Sequence, residues 1–122
     1  IIQVKRQYMY IVNDKEYVCP VTVTTEIFND KWKLDVIWYL LEGEKRYTEL
    51  FDIISNVTKK TLTAKLRELE QIGIINREAF AEVPPRVIYS LTPLGEELRP
   101  LLEEMYKWGL TYVKKQGRIT ED

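Results

Sequence analysis

A mostly helical α+β fold is what this sequence predicts, and three observations carry it. Apolar residues step at helical spacing through Trp32–Leu41 and again through Leu62–Ile72. At Gly73 that period gives way to strand-like sequence, Ile74–Phe80 and Arg86–Leu91, joined by Ala81-Glu-Val-Pro-Pro85. A further apolar stripe then runs from Leu94 to Tyr112. Helix, short turn, helix, hairpin is the order of a winged helix-turn-helix, here followed by a long C-terminal helix.

Each element has a local reason. Loose alternation of Tyr8, Tyr10, Val12 and Tyr17 around Asn13-Asp14 predicts a short hairpin within an N-terminal extension, residues 1–18. Pro20 suits the first turn of a helix over 20–28. Asn29-Asp30 ends it and caps a second helix, 31–42, closed by Gly43. Thr48 is the expected cap of a third helix, 48–55, with Glu49 and Asp52 near its positive end. Asn56-Val57-Thr58 breaks the chain, and Thr58 caps a fourth helix, 59–72, stopped by Gly73. In that helix Leu62, Leu66, Leu69 and Ile72 form one stripe for burial. Thr92-Pro93 starts the last helix, 93–114, in which Pro100 removes a backbone hydrogen bond and predicts a kink. The expected domain is 19–115, with 116–122 as a tail.

Composition narrows the function. A chain of 122 residues holds one modest core, and 45% hydrophobic with 30% charged residues is the profile of a soluble globular protein. The longest apolar run, Val36–Leu41, is too short to span a bilayer, and the opening Ile-Ile-Gln-Val-Lys-Arg has no signal-peptide pattern. A cytoplasmic protein without membrane contact is expected. One cysteine and no histidine exclude an intrachain disulfide, Cys/His zinc ligation, a Cys–His nucleophile and a Ser–His–Asp triad. We therefore expect no metal, no cofactor, no catalytic residues and no enzyme. The net charge of −1 does not announce a nucleic-acid partner, but its distribution is uneven. Residues 20–44 carry five acids against two bases, whereas 45–76 carry six bases against four acids. The basic excess falls on helix 59–72.

That helix supplies the first candidate site. Lys60, Thr61, Ala64 and Arg67 project away from the leucine stripe, Lys59, Thr63 and Lys65 flank it, and Thr58 stands at its cap. Bases, short polar groups and methyl groups at the N-terminal half of such a helix can meet phosphates, guanine edges and thymine methyls in a major groove. Lysine-rich faces are usually only solvated; the preceding helix and the following hairpin turn the reading towards double-stranded DNA. At the hairpin, two prolines stiffen the tip, and Arg86 beside it can enter a minor groove or clamp a phosphate. In the last helix Leu98, Leu101, Leu102, Met105, Trp108 and Tyr112 make an apolar face wider than one domain needs, which predicts a homodimer interface. Cys19, just before Pro20, is on physical grounds a small packed residue, although a thiol beside a helix N-terminus is also a candidate for reactivity.

These residues fall into a known pattern. Cys19-Pro-Val21, Lys31-Trp32, Arg46-Tyr-Thr-Glu-Leu50, Leu62-Thr-Ala-Lys-Leu-Arg-Glu-Leu69, Gly73, Val83-Pro-Pro-Arg-Val-Ile-Tyr-Ser-Leu-Thr92, Gly95 and Trp108 resemble the HxlR-type winged-helix regulators, a MarR-like family. The resemblance covers about 19–110. It implies homodimeric transcriptional regulators on palindromic promoter DNA, paired through their terminal helices. For some members it implies a redox-sensing cysteine at the position of Cys19. Asn29-Asp30 stand where the family commonly has glycines, and the tyrosine-rich residues 1–18 fall outside the resemblance. The competing expectation is a winged-helix module that binds protein instead of DNA. Lysines and arginines at 59, 60, 65, 67 and 86 weigh against it, because protein interfaces deplete lysine.

Overall fold

The computed structural model describes residues 8–121; the first seven residues of the expected extension, and Asp122 of the tail, lie outside the described residues. Strands β1 (Tyr10–Val12) and β2 (Lys15–Tyr17) form the N-terminal hairpin, with Tyr10 opposite Tyr17. Asn13 and Asp14 both take positive φ, the backbone a two-residue hairpin turn demands. Helix α1 (Pro20–Ile27) follows with proline at its start. Asp30 then caps α2 (Lys31–Leu40) by accepting the Trp32 N–H at 2.8 Å. The chain continues through β3 (Lys45–Arg46), α3 (Tyr47–Ile53), α4 (Lys59–Gln71), β4 (Ile75–Phe80), β5 (Arg86–Leu91), α5 (Pro93–Glu96) and α6 (Arg99–Gln116). This is a winged helix-turn-helix with a long C-terminal helix.

The core forms where α2, α3, α4 and the sheet meet. Leu62, Leu66 and Leu69 of α4 are at most 1% exposed and pack with Ile37, Leu40, Leu50 and Ile75 in one buried cluster. The same helix turns Lys60, Ala64 and Arg67 to solvent, as a 3.6-residue period requires. Ile72 leaves the expected stripe: it sits at the helix end and is 41% exposed. The sheet is antiparallel in the order β3-β5-β4, pairing Phe80 with Arg86 and Ile75 with Leu91 along the hairpin.

Three local expectations are corrected. Arg46, and not Thr48, caps α3, because Arg46 ends strand β3 and the chain passes directly from strand to helix. The Glu49 carboxylate accepts the Arg46 N–H at 2.9 Å, which closes the first turn. Strand β3 itself was not expected, since two residues carry no readable alternation. The last helix is not one kinked rod. A turn at Glu97–Leu98 separates α5 from α6, and Pro100 lies in the first turn of α6, where its missing N–H costs no helical bond.

One junction sets the hairpin against the C-terminal helices. Gly73 ends α4 at φ +82°, a left-handed conformation that favours glycine. The Thr92 hydroxyl, which can donate to the Gly73 carbonyl at 2.6 Å or that of Ile74 at 3.1 Å, accepts the Gly95 N–H at 3.0 Å. Gly95 is buried there, and a β-carbon on it would lie 2.3 Å from the Ile74 carbonyl oxygen. That oxygen is backbone and cannot swing aside. Gly95→Ala is therefore expected to lower stability by about 1–3 kcal/mol, measured by urea unfolding. An unchanged midpoint would show that the junction opens freely.

Candidate nucleic-acid interface

Helix α4 is held at both ends and in the middle. Thr58 accepts the Thr61 N–H at 3.1 Å and donates its hydroxyl to Thr61 Oγ1 at 3.0 Å. The Tyr47 hydroxyl reaches across from α3, donating to the Lys59 carbonyl at 3.2 Å and lying 3.1 Å from Thr63 Oγ1. Lys59 is exposed, with its ammonium 5.8 Å from the centre of the Phe51 ring. Thr61 and Thr63 are half-buried, whereas Lys60, Ala64 and Arg67 stand exposed. Among the described residues no ion pair engages Lys60 or Arg67.

Lys65 is turned inward. Its ammonium pairs with Asp30 and lies 3.4 Å from Glu68 Oε2, and its side chain is only 22% exposed. Burial pushes the Asp30 carboxyl up, but the Lys65 hydrogen bond, the Trp32 N–H and the Lys65 charge outweigh it and hold the group below its ordinary value. The Asp30 hydrogen bond in turn raises the Lys65 ammonium. One carboxylate thus caps α2 and clasps α4.

The wing adds cations of two kinds. Arg86 stands beside the tip of the hairpin, as expected, paired with Phe80 in the last rung before the loop, with its guanidinium 4.3 Å from the Phe80 ring centre and 3.2 Å from Glu82. The tip itself, Ala81–Pro85, is exposed, and the Val83–Pro84 peptide is cis. Arg77 was missed by sequence reading. It lines a cleft of about 370 Å³ with Thr63, Arg67, Glu70 and Tyr89, between α4 and the sheet. The signal was available: Arg77 lies two residues from buried Ile75, hence on the strand face turned towards α4. Tyr47 was also missed as a positioning residue, because nothing local reveals a partner 12 and 16 positions away.

The other predicted residues lie away from this face. Cys19 holds the position before α1, half-buried, with its carbonyl accepting the Thr22 N–H at 3.0 Å and its thiol outside any cap. On α6, Leu101, Met105, Trp108 and Tyr112 are 40%, 41%, 68% and 54% exposed, and Trp108 stacks on Tyr112 at 5.3 Å. Leu102 is placed differently from the expectation: it is 4% exposed within the chain's own core, and Leu98 packs on that core too. Among the described residues no acidic or cysteine cluster could hold a metal ion, and no helix is long and apolar enough to cross a membrane.

A recognition-type helix backed by a short helix and flanked by a β-wing defines a helix-turn-helix protein of the winged class. The chain belongs to the HxlR-like helix-turn-helix family, whose model matches residues 27–117, a family of transcriptional regulators. It is 44% identical over 102 residues to YkvN of Bacillus subtilis strain 168, named an uncharacterized HTH-type transcriptional regulator, covering 84% of this chain and 86% of that one. A MarR-family structure from Porphyromonas gingivalis W83 matches with a TM-score of 0.73 at 39% identity, over 83% of this chain and 96% of that one. The redox regulator HypR in its oxidized form matches with a TM-score of 0.71 at 38% identity, over 84% of this chain and all of that one.

The Asp30 clasp has a pH signature. Its folded-state carboxyl is lowered, so its stabilisation is present above the unfolded value of about 3.9 and is lost as pH falls through the lower folded value. The raised Lys65 ammonium adds stability that is lost only as pH rises through its folded value, above the usual lysine range. Asp30→Asn keeps a capping oxygen and removes the charge, so acid unfolding should lose part of its dependence on pH. Asp30→Ala should cost roughly 1 kcal/mol more through the lost cap. Equal urea midpoints for the two variants would show that the cap contributes nothing.

Proposed function

We propose that this protein is a homodimeric regulator of transcription that binds palindromic double-stranded DNA, with α4 in the major groove and the β4–β5 wing against the neighbouring backbone or minor groove. One observation carries the reading: the solvent face of α4 presents Lys60, Ala64 and Arg67 without internal ion pairs, directly beside a wing strand that carries Arg77. Thr58, Lys59, Thr61 and Thr63 complete the contact surface, with Arg86 as a phosphate clamp beside the wing tip. Lys65 belongs to the clasp and is assigned no DNA contact. The working unit is 19–115, with 1–18 as an extension and 116–122 as a tail, and the protein acts in the cytoplasm without a cofactor.

The α6 face of Leu101, Met105, Trp108 and Tyr112 pairs the two copies. Isologous pairing would set the two recognition helices about one DNA turn, ~34 Å, apart. Cys19 is a thiol sensor in this reading, supported by its half-buried place outside any cap and by the likeness to HypR. With a single cysteine in the chain, a protein disulfide must join two copies; otherwise oxidation gives a mixed disulfide or sulfenic acid.

Selection of bound duplexes from a random library should return a two-fold repeat. On that duplex, Lys60→Ala with Arg67→Ala should weaken binding and lower the salt slope by about one unit for each phosphate left without its cation. Unchanged binding would support the protein-binding alternative. Trp108→Glu should convert a species of twice 14.5 kDa into the monomer and abolish tight binding with it. Cys19 should react with a thiol reagent in the native state, and labelling should change DNA affinity. Reaction only after denaturation would assign it a structural role.

A further inference from the structure

Beneath the N-terminal hairpin lies a cavity of about 600 Å³ that the DNA-reading face does not use. Lys15 and Tyr17 of the hairpin roof it, Val23 and Ile27 of α1 wall it, and Ile72 and Leu94 close it below. Its size lies within the range of small-molecule sites, about 300–1,000 Å³. The hairpin precedes residues 27–117, which the family model matches.

The lining charges do not balance. Glu26 pairs with Lys15 and accepts the Tyr17 hydroxyl at 2.8 Å, so those two charges cancel within the roof. Both donors hold the Glu26 carboxyl below its ordinary value and so keep it ionised. Lys33 also lines the cavity, and its side chain is only 16% exposed. Its ammonium lies 3.4 Å from Glu68 Oε2, but so does that of Lys65, and this buried oxygen makes no hydrogen bond. Lys65 has Asp30 as a second partner; Lys33 has none among the described residues. Lys33 is thus a loosely held cation on a flexible stem beside apolar walls.

We propose that this cavity binds a small amphipathic monoanion, with its apolar body against Val23, Ile27, Ile72 and Leu94 and its carboxylate on the Lys33 ammonium. Lys33 exchanges Glu68 for the ligand, and because Glu68 belongs to α4, occupancy is passed to that helix. By linkage, whatever strengthens the Lys33–Glu68 pair weakens the ligand, and the reverse. The site stands independently of DNA binding, and its failure leaves that reading intact.

The full-length chain, labelled with ¹⁵N, should be titrated with phenylacetate and octanoate, and in parallel with phenylacetamide and octanamide. The carboxylates are expected to shift the backbone resonances of Val23, Ile27, Ile72 and Leu94, and the amides to bind about tenfold more weakly. Lys33→Met should abolish that preference. Glu68→Gln should tighten carboxylate binding by about threefold, since the competing acceptor loses its charge. Leu94→Trp, made from an exposed side chain, should block the cavity while leaving the melting curve in place. Equal binding of carboxylates and amides, shifts confined to the Trp108–Tyr112 face, or none at about 10 mM probe would overturn the site. A Glu68→Gln chain that binds no more tightly would overturn the exchange.

Discussion

Burial of the α4 leucine stripe is the constraint on which the other features depend. Leu62, Leu66 and Leu69 are at most 1% exposed, and each such side chain contributes about 1.5–3 kcal/mol by leaving water. Their partners come from every neighbouring element: Ile37 and Leu40 from α2, Leu50 from α3, Ile75 and Tyr89 from the sheet. Because a helix that buries one face must expose the other, the same stripe fixes where Lys60, Ala64 and Arg67 stand. The candidate interface is thus the geometric complement of the core.

Polar contacts then remove the freedom that apolar packing leaves. Hydrophobic burial is non-directional, and it would tolerate a range of rotations of α4 about its axis. Asp30, Tyr47 and Thr58 are directional, and each fixes a different part of the helix through Lys65, Lys59 or Thr61. The cost is that Lys65 loses its availability to a partner. The gain is a helix whose outward residues are presented at one angle, which matters wherever hydrogen bonds must match the edges of bases.

The charge pattern follows the same division. A net charge of −1 hides an acidic segment over 20–44 and a basic one over 45–76, and folding brings parts of the two together. Asp30 clasps Lys65 behind α4, where Lys33 shares Glu68 with it. Among the described residues Lys60 and Arg67 on the outer face and Arg77 on the adjoining strand engage in no ion pair. The α6 face carries no such balance of charges, and its exposed Trp108, Tyr112 and Met105 form an apolar surface of a different kind.

Much of this was legible in the sequence, because period and caps are local properties. The leucine spacing of α4, the Asp30 and Thr58 caps, the Asn13-Asp14 turn and the switch to strands at Gly73 each act over a few residues, and the structure has all of them. Lys60, Ala64 and Arg67 were legible for the same reason, since outward projection follows from helical period alone. What tertiary structure decided was every feature that depends on a distant partner. Strand β3 exists only because Tyr89 and Ile88 offer an open edge. Lys65 is withdrawn because Asp30, 35 positions earlier in the chain, lies within reach, and Leu102 is interior because α6 folds back onto the core. Arg77 joins Arg67 only when the hairpin closes on α4. The sequence carries the period that makes each element, but a side chain's partner is set by packing, which no local pattern contains.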